Sequence, residues 1–141
     1  MKKYIILFAS IALSLTFACK DSKKDEKKTQ MQEVMAVHDE VMPKMSTIGK
    51  LISEINSKIE TVKATDSTLE LEDAKKDLQD ANKAMMDWMK GFGDRFDGDE
   101  ILKGKALTEE KQKLLDEEEL KVKALRDQMN KSIENAEAIL K

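Results

Sequence analysis

Ten positions between Met31 and Val62 fall into one heptad register without a gap. Met31, His38, Met45, Ile52 and Ile59 form one series, and Val34, Val41, Ile48, Ile55 and Val62 form a second, offset by three. A double series of this kind predicts a long helix packed along a seam. Pro43 falls on the outer face of that register and Gly49 beside the seam. Proline removes a backbone hydrogen bond, so a kink is expected there. The pattern continues straight through it, which argues against a full break.

Two further periodic stretches follow. Thr65-Asp66-Ser67 forms a turn, with Ser67 and Glu70 spaced as a capping box. Leu71, Leu78, Met85 and Phe92 then form one seam series, and Ala74, Ala81 and Trp88 the other. A third helix is expected after Thr108, whose hydroxyl caps free N–H groups while Glu109 and Glu110 meet the helix dipole. Leu115, Val122, Leu125, Met129, Ala136 and Ile139 make its stripe, interrupted by the polar Glu118 and Ser132 at seam positions. One proline and 38% charged residues suit helix rather than sheet. The expected fold is all-α: an antiparallel three-helix bundle with coiled-coil-like seams over 31–141, its helices at about 31–63, 67–92 and 108–140.

Folding the first pair about a turn near Thr65 sets Phe92 opposite His38, Trp88 opposite Met42 and Met85 opposite Met45. Trp88, Phe92 and Phe96 are the three aromatics outside the N-terminal segment, so the core is expected to centre at that end, nearest residue 31. Gly91, Gly93, Gly98 and Gly104 punctuate the link to the third helix. Asp97 and Glu100 are spaced to cap a short turn whose Ile101 and Leu102 plug the same end.

The N-terminus has a different character. Lys2 and Lys3 precede an apolar run from Tyr4 to Ala18, short for a membrane span and suited to a signal segment over 1–18. Thr16-Phe17-Ala18-Cys19 resembles a bacterial lipobox, in which the leader is cut and the cysteine acylated. Leu15 stands one place earlier than the usual leucine, and Phe17 is bulkier than the usual small residue. An uncleaved anchor, or a signal cut without lipidation, is the alternative. Cys19 is the sole cysteine, so with lipid on it neither an intrachain disulfide nor a cysteine metal site remains.

Residues 19–30 read as lipidated cysteine and flexible tether, too charged to fold alone. Lys20 stands where enterobacterial inner-membrane lipoproteins carry aspartate, so the resemblance implies the outer membrane. The Lys-Asp-Ser-Lys-Lys-Asp-Glu run is similar to the segment after the cysteine in Bacteroidota lipoproteins, where acidic versions accompany surface export. Equally, a basic tether can simply lie on anionic head groups, and the periplasmic or surface face stays open. Residues 29–141 hold 18 basic and 25 acidic side chains, a net of −7, which argues against nucleic acid as a partner.

Candidates for chemistry are few. His38 is the one imidazole that could serve a nucleophile, and it lies on a seam, where a packed histidine is the simpler reading. Phe96 stands where a dinucleotide loop beginning at Gly91 needs its third glycine, and Asp99 and Glu100 replace the Lys-Ser/Thr of a phosphate loop. Asp94, Asp97, Asp99 and Glu100 lack the spacing of a calcium loop and read as caps. Met31, Met35, His38, Met42 and Met45 share a helix face, and thioethers with imidazole suit Cu(I) or Ag(I). Met35-x-x-His38 and His38-x-x-x-Met42 resemble the spacings of periplasmic copper and silver binders, some of which place a tryptophan over the ion. Met35, His38, Met42, Met45 and Met85 are thus the candidate metal ligands, with methionine as adaptable core filler against Trp88 and Phe92 the favoured account.

The stretches Met35-Ala36-Val37-His38-Asp39-Glu40-Val41-Met42-Pro43-Lys44-Met45, Met85-Met86-Asp87-Trp88-Met89, Gly91-Phe92-Gly93-Asp94-Arg95-Phe96 and Ala106-Leu107-Thr108-Glu109-Glu110-Lys111 give the chain a wider resemblance. It resembles short Bacteroidota lipoproteins often labelled viral A-type inclusion protein. The resemblance implies class and location and leaves function open. The expectation is a non-catalytic, lipid-anchored envelope module without a cofactor beyond the lipid on Cys19. It would contact the bilayer and an envelope protein, and self-association is open.

Overall fold

A computed structural model describes residues 29–62 and 66–141 of the protein. The signal segment, Cys19 and the tether through residue 28 lie outside the described residues, as do residues 63–65 and the side chain of Ser67, on which the expected capping box with Glu70 depends. The chain is all-α. Its elements are α1 (Gln30–Val41), α2 (Lys44–Thr61), α3 (Asp66–Arg95), α4 (Gly98–Leu102) and α5 (Glu109–Leu140).

Residues 29 and 30, read above as tether, instead start α1. Thr29 Oγ1 accepts from Gln32 N while the Gln32 side chain accepts from Thr29 N, a reciprocal cap that satisfies two of the free N–H groups. At the other end of α1, Met42 and Pro43 both keep right-handed helical dihedrals. Met45 N then bonds Met42 O at 3.2 Å and Ser46 N bonds Pro43 O at 3.3 Å, a tightened turn that steps around the missing proline N–H. The stretch expected as one helix over 31–63 is thus divided into α1 and α2 by a turn at Met42 and Pro43, while the buried series continues on both sides of it.

Side-chain bonds fix the directions. The Gln30 amide donates to Asp116 (2.9 Å) and Glu119 (2.7 Å), Lys44 donates to Asn130, and Lys58 Nζ donates to the carbonyls of Ile139 (3.0 Å) and Leu140 (3.2 Å). Thus α1 and α2 run alongside α5 in the same sense, with Lys58 satisfying carbonyls that the end of α5 leaves free. The arm α3 runs the other way, since its late residue Trp88 meets His38 and its early residue Asp77 meets Ser132. His38 therefore lies against Trp88 rather than Phe92. The boundary between the arms falls between Thr61 and Asp66, about two residues before the turn taken at Thr65, and that displacement moves the partner by about one helical turn.

Val34, Val41, Ile48 and Ile55 are buried completely or nearly so, as are Leu71, Ala74, Leu78, Ala81 and Met85 in α3 and Leu115, Val122, Met129 and Ala136 in α5. In the other series of the first arm Met31 is buried, while His38, Met45, Ile52 and Ile59 are half-buried. Leu51, outside both series, is buried because a straight helix drifts from a strict seven-residue repeat and brings this position round.

The third helix, α5, packs on α1, α2 and α3. Its two polar seam residues are satisfied locally. Ser132 Oγ donates to the carbonyls of Gln128 (3.0 Å) and Asp77 (3.3 Å), and Glu118 is held by Arg95 and Lys121.

The link before α5 also differs from expectation. Gly91 and Gly93 lie inside α3 instead of punctuating the link, because Trp88, Phe92 and Phe96 continue one buried stripe at intervals of four and packing outweighs glycine's helix penalty. Gly98 opens α4, and Gly104, at φ +69°, takes the left-handed conformation that ends it. Ile101 is half-buried, but Leu102 is 81% exposed and plugs nothing.

Candidate functional site

The aromatic side chains gather as a stack at the α1 end of the molecule. His38 and Trp88 have ring centroids 5.7 Å apart, Trp88 and Phe92 4.8 Å, and Phe92 and Phe96 4.8 Å, all within the range of favourable aromatic pairing. Lys111 Nζ closes the stack 6.0 Å from the Phe96 ring centre and also reaches Glu100 Oε2 at 2.6 Å. His38 Nδ1 lies 3.0 Å from Asp39 Oδ1. The indole of Trp88 is only 8% exposed, and its Nε1–H has no hydrogen-bond partner among the described residues. Leaving such a donor buried and unpaired costs about 1–3 kcal/mol.

Beside Trp88 a cleft of about 290 Å³ opens between α3 and α5, bordered by Gly91, Arg95, Glu118, Lys121 and Leu125. Glu118 is 2% exposed and accepts from Arg95 Nη1 and from Lys121 Nζ (2.9 Å), so its buried charge is answered from two sides. This cluster escapes a reading of the sequence, because Arg95 and Glu118 come from different arms. The one trace is an acidic residue in an apolar stripe, which needs a cation from somewhere.

The α4 cap adds an electrostatic element. Asp97 accepts from Asp99 N (3.0 Å) and Glu100 N (2.9 Å), and its other oxygen takes Lys105 Nζ at 2.7 Å. The lysine bond first, and then the backbone donors, lower the Asp97 pKa to about 2. The Glu100 carboxyl is lowered too, by Lys111 and then by the bond from Asp97 N. The capping boxes at Asp97–Glu100 and the cap at Thr108 match the sequence spacing.

Of the candidate soft-metal ligands, Met85 lies fully inside the core. Met35, Met42 and Met45 are half-buried and packed against it, with Met45 beyond the Met42–Pro43 turn on α2. Trp88, Phe92 and Phe96 come together as the aromatic end of the core. Cys19 lies outside the described residues.

No protein-family model, curated protein or solved structure matches the chain. Among the described residues no helix is long and apolar enough to cross a membrane.

Proposed function

We propose that the protein is a lipid-anchored module of the bacterial cell envelope. In this reading an antiparallel three-helix body, tethered through acylated Cys19, serves a structural or protein-binding role without catalysis. The observation that carries it is the engagement of the chain's most distinctive side chains in packing: Trp88, Phe92 and Phe96 are buried and His38 is stacked on Trp88. The resemblance of the N-terminus to a lipobox supplies the anchor. Mass spectrometry of the membrane fraction should find the chain cut before Cys19 and acylated, and Cys19→Ser should leave that fraction. Normal processing and localisation of Cys19→Ser would overturn the anchor. Crosslinking in native membranes is expected to recover one specific envelope protein or a second copy of the chain, and recovery of neither would count against an interaction role.

A second reading, a Cu(I) or Ag(I) binder, has one observation in its favour. His38 is half-buried rather than sealed, with the half-buried Met35 and Met42 on the same helix face. Soft thioether and imidazole ligands would suit those ions.

A further inference from the structure

Four large apolar side chains are exposed among the described residues: Leu69, Met86, Leu102 and Leu120. Their positions differ in kind. Met86 and Leu120 sit on helix flanks, and Leu69 is in the first turn of α3, at the end remote from Thr29. Leu102 is the last residue of α4, on the end where the chain leads into α1. A crevice lined by Thr29, Gln30 and Met31 on one side and by Gly104, Lys105 and Leu107 on the other shows how close the two strands of chain come.

The turn that presents Leu102 is well built. Lys103 N and Lys105 N both donate to Asp99 O, at 3.0 and 3.2 Å, around the left-handed Gly104, and Asp97 caps the helix before it. The lysines around Leu102 are paired, Lys103 with Asp99 at 2.8 Å, Lys105 with Asp97 at 2.7 Å and Lys111 with Glu100, while the exposed Glu109 and Glu110 open α5 beyond the turn. The body as a whole carries −7 over residues 29–141. A bilayer with anionic head groups repels acidic surface, and at this turn Lys103 and Lys105 offset the acids of the α4 cap beside the exposed Leu102. Lys103 and Lys105 have stems long enough to keep their ammonium groups among head groups while Leu102 enters the acyl boundary.

The geometry points to the α4–α5 turn, with Leu102 at its tip, as the contact between the body and the bilayer surface that holds the anchor. This inference rests on the lipid-anchored reading. Thr29 follows Cys19 by ten residues, a reach of at most about 36 Å, so the same end of the body is held near the membrane. Tethering makes the contact intramolecular, and a weak apolar insertion then suffices.

The test uses the full-length acylated protein in phosphatidylethanolamine/phosphatidylglycerol vesicles, with an environment-sensitive fluorophore on one introduced cysteine: Leu102→Cys, Leu120→Cys or Leu69→Cys. Leu120 stands eleven residues into α5, about 16 Å from the turn, and Leu69 lies farther still. Vesicle flotation and the absence of label on the parent chain first establish that Cys19 is acylated. The expected result is a blue shift with a several-fold rise in emission at residue 102 on vesicles, quenched by spin-labelled lipid, and no change at 69 or 120. Flotation with residue 102 behaving like 69 and 120 overturns the contact and leaves the anchor standing. A shift at residue 102 that persists without vesicles identifies a protein contact and likewise overturns it. Failure to float, with Cys19 labelled, overturns the anchor and the contact together.

Discussion

Trp88 is pressed between His38 and Phe92 with its indole N–H unanswered, so two substitutions there probe different physics. Trp88→Ala should destabilise the body by about 3–5 kcal/mol in urea unfolding followed by circular dichroism, as removal of a buried aromatic does. Trp88→Phe keeps most of the ring and deletes the unpaired donor, so its cost should be well under half of that. An alanine effect under about 0.5 kcal/mol would place Trp88 outside the load of the core. Asp97 gives a prediction in pH. Its folded pKa, about 2, lies below the ordinary 3.8, so its contribution to the α4 cap is complete above the ordinary value and is lost as pH falls through that window toward 2. Carboxyl NMR should show the low midpoint, Lys105→Met should raise it, and the amides of Asp99 and Glu100 should lose exchange protection over the same range. The Asp97–Glu100 cap was readable in the sequence because both residues sit within one turn. Lys105 was not, since only the reversal at Gly104 brings it back.

Elements were legible where one periodicity governed and illegible where packing from another arm decided. The heptads from Met31 to Val62 and from Leu71 to Phe92 gave the arms and most of the core. They could not show that Gly91 and Gly93 would remain helical, because glycine propensity points the other way and the deciding term is burial of Phe92 and Phe96. A Cβ added at Gly91 or Gly93 would meet nothing within 4 Å, so Gly91→Ala and Gly93→Ala should each stabilise α3 by about 0.5–1 kcal/mol. Gly104→Ala should destabilise by about 1–2 kcal/mol, since φ +69° is unfavourable once a Cβ is present. Thermal melts of the three variants would separate these signs. The Arg95–Glu118 pair makes the same point between elements. Arg95→Met should weaken the fold by about 1–3 kcal/mol, with Lys121 answering part of the charge, whereas Arg95→Met with Glu118→Leu should recover or exceed the parent, as buried ion pairs replaced by apolar residues commonly do. A double change worse than Arg95→Met alone would show that the pair itself holds α3 to α5.

For the molecule as a whole, the packing of its methionines predicts the response to soft ions. Ag(I) added to the body at about 100 times a binding constant would raise its stability by about 2.7 kcal/mol if a site existed. With Met85 in the core and Met35, Met42 and Met45 packed against it, the expected result is an unchanged Tm and unchanged Trp88 fluorescence. A stoichiometric shift that disappears in His38→Leu with helicity retained would favour the metal-binding reading. Fold class and the placing of the aromatic end followed from the sequence, while the facing of His38 and Trp88 depended on a boundary that no seam residue marks. The direction of the arms has one more consequence. Because α1–α2 and α5 ascend and α3 descends, the described residues make an odd number of passes, and Thr29 and Lys141 stand at opposite ends. The 32 residues of α5 set that separation at about 48 Å, several times the roughly 8 Å over which charge on a membrane is felt at physiological salt. Under the proposed anchor the body would be a stand-off, its far end held beyond the electrostatic reach of the bilayer, and one heptad added to or removed from every arm would change that height by about 10 Å.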